Sequence, residues 1–344
     1  MVEVPPRSAP ISIRYWHYLA FLAVVGGAGL LWLWWALRSP WGAGNSTIES
    51  WRPYLAGGAR APSGAKPVDN LNQTLRLHRV LRLAEKRFAV LFSVTDAQGA
   101  PLVVVPPGDV QVALADPTGR LQPVTVERVT PLHQMASWGE RAHFSCVLDW
   151  SGSMFADDLQ ALKDNYSSFL KALTLPYAGA VYKFQTDVRQ IIGLSSDAVA
   201  LENAVRQDIP QGSTALYAAI DTALQPIQKA PWLRFQMVTT DGMDNVGGAT
   251  LEDVIKRARL HEVSLFVLGF GWVQVDVLER LAEETDGYYV YVPDSRDLAT
   301  WFTRLAGIVN NVQVAEVSAP FDLARPGGLE LTVRAGAASL KRRR

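Results

Sequence analysis

Val147-Leu148-Asp149-Trp150-Ser151-Gly152-Ser153-Met154 is the stretch whose reading decides the fold. It sets one carboxylate and two hydroxyls at alternate positions, just where an apolar run stops. Phe144 to Leu148 predicts a buried strand, too short for a helix and bounded on its far side by a Gly-Ser turn. Asp149, Ser151 and Ser153 then crowd the C-terminal rim of a strand, the place where open α/β sheets bind ligands. Small hard oxygens converging on one point suit Mg²⁺ or Mn²⁺ better than a softer metal.

Two further segments supply the rest of such a shell. Gly212-Ser213-Thr214-Ala215-Leu216 opens an apolar helical run and offers a hydroxyl at its start, and Met237-Val238-Thr239-Thr240-Asp241-Gly242 is a second apolar strand that ends in a carboxylate and a glycine. Each piece alone has a plainer account. Ser-Gly-Ser after a strand is a turn with local hydroxyl-to-backbone bonds. Thr214 alone reads as a helix N-cap, and Asp241-Gly242 alone as an ordinary turn.

Together these residues resemble the metal-ion-dependent adhesion site of the von Willebrand factor type A (vWA) domain. That site carries Asp-x-Ser-x-Ser, then a Thr, then an Asp, in this chain order and at about these separations. Asp149, Ser151, Ser153, Thr214 and Asp241 fill all five positions. The resemblance implies Ser151 and Ser153 as direct metal ligands, with Thr214, Asp149 and Asp241 completing or orienting the shell. It implies a bound Mg²⁺, or Mn²⁺, that takes an Asp or Glu from a protein partner. Trp150 departs from the small or β-branched residue more common at its position.

Around the motif the pattern alternates strand and helix. Leu159, Leu162, Tyr166, Phe169, Leu170 and Leu173 recur at helical spacing before the Pro176 break. Val181 to Phe184 and Ile191 to Leu194 read as short strands, and Leu265 to Gly271 as a continuous apolar one. Leu278 to Gly287 reads as a helix with its glycine stop, Tyr288 to Val292 as a strand and Trp301 to Val309 as a last helix. Apolar strands alternating with helices mean a mostly parallel sheet with helices on both sides. The expected fold class is α/β, a vWA, Rossmann-like sheet spanning residues 137–310.

Residues 71–136 differ. Phe88 to Thr95 is an apolar, β-branched run before the turn Asp96-Ala97-Gln98-Gly99, and Val110 to Leu114 alternates before Asp116-Pro117-Thr118-Gly119. Short strands with turn signals predict a small β-sandwich. The stretch resembles the immunoglobulin-like module that precedes the vWA domain in a bacterial group called the VWFA-related acidobacterial type. Residues 311–344 alternate again around Pro326-Gly327-Gly328, and the same resemblance implies that they return to the sandwich. The basic run Lys341 to Arg344 reads as a solvated terminus.

The chain has 344 residues, and Lys plus Arg (33) balance Asp plus Glu (33), so no global field favours nucleic acid. The one cysteine, Cys146, forms no internal disulfide and reads as a small core residue. After the tail 1–17, residues 18–37 (Tyr18 to Leu37) carry no charge until the flanking Arg38. At about 1.5 Å per residue they span roughly 30 Å, a bilayer's hydrocarbon thickness. Aromatic residues stand at both ends, and Ala36-Leu37-Arg38 is a poor cleavage signal, so an uncleaved transmembrane helix is favoured over a signal peptide. Arg7 and Arg14 before it nearly balance Arg38 and Arg52 after it. The resemblance places the N-terminus in the cytoplasm and the vWA domain outside the cell membrane. Residues 38–70, rich in Gly, Ala, Pro and Ser, read as a flexible linker.

An enzyme is not expected. Two aspartates around Mg²⁺ also suit metal-assisted hydrolysis, but no H-E-x-x-H, phosphate loop or nucleophile elbow accompanies them. His133, His143 and Asp244 read as structural, solvated or turn residues, and Trp150 and Trp272 as packing residues or an aromatic lining at the rim. The expected function is a membrane-anchored, extracytoplasmic protein-binding module for adhesion or assembly. A structural scaffold with an unused metal site is the alternative, and a metal-dependent hydrolase a more distant one.

Overall fold

Strand β6 (Ala142–Asp149) is apolar on both faces because it lies inside a sheet, with β7 (Tyr177–Phe184) parallel on one side and β9 (Leu233–Thr240) parallel on the other. The computed structural model describes residues 68–138, 142–154, 156–271, 273–323 and 327–344. The expected tail, transmembrane helix and most of the linker lie outside these residues, as does Trp272. Among the described residues no helix is long and apolar enough to cross a membrane.

Seven strands make this sheet, in the order β1-β11-β10-β9-β6-β7-β8. Strands β10 (Ser264–Phe270) and β11 (Tyr289–Val292) extend it in parallel, while the hairpin strand β8 (Val188–Ser195) is antiparallel to β7. The chain runs from β6 outward through β7 and β8, then returns to the other side of β6 with β9. That reversal opens a crevice beyond the carboxyl ends of β6 and β9.

Among the described residues six helices cover the two faces. Phe144, Cys146 and Leu148 point to one face with Phe235 and Phe266, and are covered by α1 (Ala156–Ala172), α2 (Ala198–Arg206) and α6 (Leu298–Asn310). The rings of Phe144, Phe235 and Phe266 stack across three strands, with centroids 5.2 and 5.0 Å apart. Val147, Val238 and Val267 point to the other face, under α3 (Leu216–Leu224), α4 (Leu251–Leu260) and α5 (Val275–Glu284). Thr250 and Asp253 start α4 with a reciprocal capping box. The α/β fold expected for this part of the chain is the fold observed.

A second seven-stranded sheet runs β14-β13-β4-β5-β12-β3-β2. It comprises β2 (Leu75–Ala84), β3 (Arg87–Val94), β4 (Val110–Ala115), β5 (Leu121–Pro131), β12 (Gln313–Ser318), β13 (Leu329–Ala335) and β14 (Ala338–Arg343). Its apolar core joins Phe88, Val90 and Phe92 of one half to Val112, Leu114, Leu331 and Val333 of the other. β5 pairs with β4 through its first residues and with β12 through its later ones. The α/β region therefore leaves this sheet after β5 and re-enters it at β12, where Gln313 sits opposite Pro131.

Val68 and Asp69 differ from the linker reading of their composition. They form β1, which pairs antiparallel with Tyr291 and Val290 at the edge of the parallel sheet. The Asn70 side chain fixes this addition by accepting from the Tyr289 amide at 2.8 Å and donating to Glu283 at 2.8 Å. A two-residue strand has no periodicity to read.

A buried polar seam joins the two sheets. The His78 ring lies between Ser264 (2.9 Å) and Ser93 (2.7 Å), and Ser93 also bonds the Tyr288 hydroxyl. Burial, reinforced by Arg344 and Arg76, pushes His78 down to about 3, so it stays neutral. Arg76 forks onto Glu283, and Arg342 bonds Asp286 at 2.6 Å.

Gly287, after α5, is required by close approach. A side-chain carbon there would fall 1.8 Å from the Leu265 carbonyl oxygen. Gly287→Ala is expected to cost about 3 kcal/mol. Urea unfolding checks this, and an effect below about 0.5 kcal/mol, typical of open surface positions, would contradict it.

Candidate metal centre

Asp149 ends β6 at the crevice and is fully buried. One of its oxygens accepts from the Ser151 amide at 2.9 Å, closing the turn that follows the strand. The other accepts from the Thr240 hydroxyl at 2.6 Å. That second bond crosses from β6 to the end of β9, so each strand end holds the other.

The turn then lifts two hydroxyls toward the crevice. The Ser151 and Ser153 hydroxyls lie 2.9 Å apart, and Ser153 donates to Asp241 at 2.8 Å. Ser151 is buried while Ser153 is exposed, so the group opens to solvent on the Ser153 side. Thr214 reaches the same place from the segment before α3. A side-chain carbon on Gly242 would meet the Thr214 hydroxyl at 3.5 Å and that of Ser153 at 3.7 Å, so a glycine leaves room between them.

Backbone bonds fix the three segments together. The Gly152 amide donates to the Gly212 carbonyl at 2.7 Å. The Thr214 amide donates to the Asn245 side chain at 2.8 Å, and the Asn245 amide returns a bond to the Thr214 carbonyl at 3.0 Å. Thr214 is not the N-cap of α3. That position is Ala215, which has no side chain to cap with, and the Thr214 hydroxyl is left for the crevice.

Two carboxylates thus share a buried pocket. Burial raises Asp149 above the usual carboxylate range, against the pull of its hydrogen bonds to Ser151 and Thr240. Burial, then the nearby Asp149 charge, pushes Asp241 up to about 7. Among the described residues no Lys or Arg forms an ion pair with either carboxylate, whose hydrogen bonds come from Ser151, Thr240 and Ser153. Two like charges out of water, beside three hydroxyls, form a donor set that fits a hard divalent cation.

Other residues singled out in the sequence take different places. Asp244 is a turn carboxylate, accepting from the Tyr217 and Gly247 amides at 3.1 Å each. His133 bonds the Asn310 carbonyl at 3.0 Å, away from the crevice. Trp150 is buried and does not line the rim. Thr240 and Asn245 were not read from the sequence as site residues. Thr240 carries a signal in hindsight, a hydroxyl at the last position of a buried strand beside β6.

Residues 145–304 match the family model of the von Willebrand factor type A domain. This segment is a vWA domain. No curated protein matches the chain. Among solved structures, BatB from Bacteroides thetaiotaomicron is 20% identical, with a TM-score of 0.42 over 48% of this chain and 98% of its own. A von Willebrand factor type A protein from Catenulispora acidiphila is 12% identical, with a TM-score of 0.47 over 83% of this chain and 72% of its own. Proximal thread matrix protein 1 from the mussel byssus, solved with a zinc-occupied MIDAS motif, is 19% identical, with a TM-score of 0.45. That match covers 54% of this chain and about half, 48%, of the byssus protein.

The raised carboxyls give the metal-free vWA domain a defined pH response. Asp241 holds its proton in the folded chain between the ordinary 3.8 and about 7, where the unfolded chain has lost it. The folded state binds more protons in that window, so this site's contribution to stability falls as pH rises through it. Metal binding needs both carboxylates ionised, so added Mg²⁺ should stabilise more at pH 7.5 than at pH 5. Denaturant midpoints of wild type and Asp241→Asn, compared across this range in chelator, check the sign. The variant should show a flatter decline, and an identical slope would contradict the assignment.

Proposed function

We propose that this chain is a membrane-anchored, extracytoplasmic protein-binding module for adhesion or assembly, and not an enzyme. Its vWA domain would hold Mg²⁺, or Mn²⁺, through Asp149, Ser151, Ser153, Thr214 and Asp241, and bind a partner's Asp or Glu there. One observation carries the reading. Two buried carboxylates, neither in an ion pair among the described residues, converge with three hydroxyls in a crevice that opens to solvent at Ser153.

The roles divide by charge and position. Ser151, Ser153 and Thr214 would offer neutral oxygens, which leave a bound cation short of electron density. Asp149, held by the Ser151 amide and the Thr240 hydroxyl, would set the floor of the site. Asp241 would exchange its bond to Ser153 for the metal. Bound there, the cation would supply a Lewis-acid position for a carboxylate from outside. Such a contact, buried within an interface and ringed by weaker ones, has the character of a hot spot.

Hydrolysis finds less support, because the neighbouring carboxylates already have partners. Asp244 holds two backbone amides, and Asp158 accepts from the Ser295 hydroxyl. The anchor in this proposal is Tyr18 to Leu37, and the β-sheet module beside the vWA domain would serve as its immunoglobulin-like stalk.

Calorimetry on the unit Arg60–Arg344 tests the metal. Mg²⁺ or Mn²⁺ should bind wild type, while Asp149→Ala should lose that binding with the fold kept. Ser153→Ala should lower the affinity for an acidic protein partner by at least about tenfold. Unchanged metal affinity in Asp149→Ala, or partner binding that persists equally in chelator, would overturn the proposal.

A further inference from the structure

Trp150 occupies the position between Asp149 and Ser151, and its indole is packed inside the domain with 1% exposure. Two lysines reach its ring. The Lys183 ammonium of β7 lies 3.5 Å from the ring centre, and that of Lys163 in α1 lies 5.6 Å away. Lys183 is itself fully buried.

Both lysines also hold one short segment at the end of α2. Lys183 donates to the Val205 carbonyl at 2.6 Å and to the Gln207 carbonyl, and Lys163 pairs with Asp208 at 2.8 Å. From Asp208 the chain runs through Pro210 and Gly212 to Thr214. The indole on one side and the carbonyls of Val205 and Gln207 on the other are therefore joined through a single ammonium group. Burying that charge is costly, and burial pushes Lys183 down to about 7 although the nearby Asp208 carboxylate opposes the shift. An apolar side chain of the same length would pack against Trp150 at no such cost. It would leave the two carbonyls at the helix end without their donor.

We propose that Lys183 is a positioning residue for the metal centre, which acts through Trp150 to fix the Asp149–Ser153 loop against the segment that carries Thr214. The inference rests on the metal-binding reading above. The geometry gives it two independent parts. The ammonium–indole contact anchors the first loop, and the carbonyl bonds anchor the second. The direct Gly152-to-Gly212 bond then sets the final spacing between loops already held in register.

Lys183→Met in the full chain keeps the length of the side chain and removes the charge and the donors. Mn²⁺ affinity by calorimetry should fall about tenfold, as expected for loss of a group that orients ligands. In metal-free protein, hydrogen exchange at the Ser213 and Thr214 amides should quicken, while exchange in β9 stays as in wild type. A general loss of packing would instead quicken both. Wild-type affinity and wild-type exchange in Lys183→Met would overturn this inference and leave the metal reading standing. A wild-type chain that binds no Mn²⁺ would overturn both. Should Lys183→Met fail to fold, Trp150→Phe carries the test, because it weakens the ammonium contact and keeps an aromatic core. Weaker Mn²⁺ binding with faster exchange at Thr214 supports the inference, and no change in either overturns it.

Discussion

Asp149 and Asp241 stand at the ends of neighbouring strands, out of water, and each raises the energy of the other's charge. Most features of the crevice answer that constraint. The Ser151 amide and the Thr240 hydroxyl stabilise Asp149, Ser153 donates to Asp241, and Gly242 keeps a side chain out of the space between Ser153 and Thr214. Hydrogen bonds alone do not restore the ordinary acidity of either group. A divalent cation would, and the fold leaves the Ser153 side open for one to enter.

The sheet supplies the geometry. β6 and β9 are buried on both faces and lock in parallel register, so their carboxyl ends are fixed by two apolar cores. The polar atoms of the site sit on turns directly beyond those ends. Rigid strands with functional groups on the first residues of the following loops place ligands with little freedom to lose. The second sheet holds the vWA domain at both ends, since β5 leads into it and β12, its neighbour, receives the chain on return. The neutral His78 and the Arg76–Glu283 pair add a polar seam whose groups are matched across it.

Much of this was legible in the sequence, for physical reasons. Continuous apolar runs such as Leu265 to Phe270 mark strands buried on both faces, and they place the α/β class without further help. Asp149, Ser151 and Ser153 alternate at a strand end, so their convergence follows from chain geometry over five residues. Other parts depend on contacts between segments far apart. Thr240 matters because β9 lies beside β6, a register that no local pattern encodes. Trp150 looked like a departure that could reach the rim, yet it is buried beneath Lys183, a residue whose place in an apolar strand gives no hint of a carbonyl partner at the end of α2. β1 carries no period over its two residues, and its pairing is fixed by Asn70 instead.

Anomalous scattering from a crystal of the vWA-containing unit grown with Mn²⁺ tests the central claim most directly. The account expects one strong manganese peak in the crevice, at coordination distance from the Ser151 and Ser153 hydroxyls, with Asp149, Thr214 and Asp241 around it. A crystal grown with Mn²⁺ that shows no peak there, or in which Ser153 still bonds Asp241 and Thr240 still bonds Asp149 with manganese bound elsewhere, would contradict it.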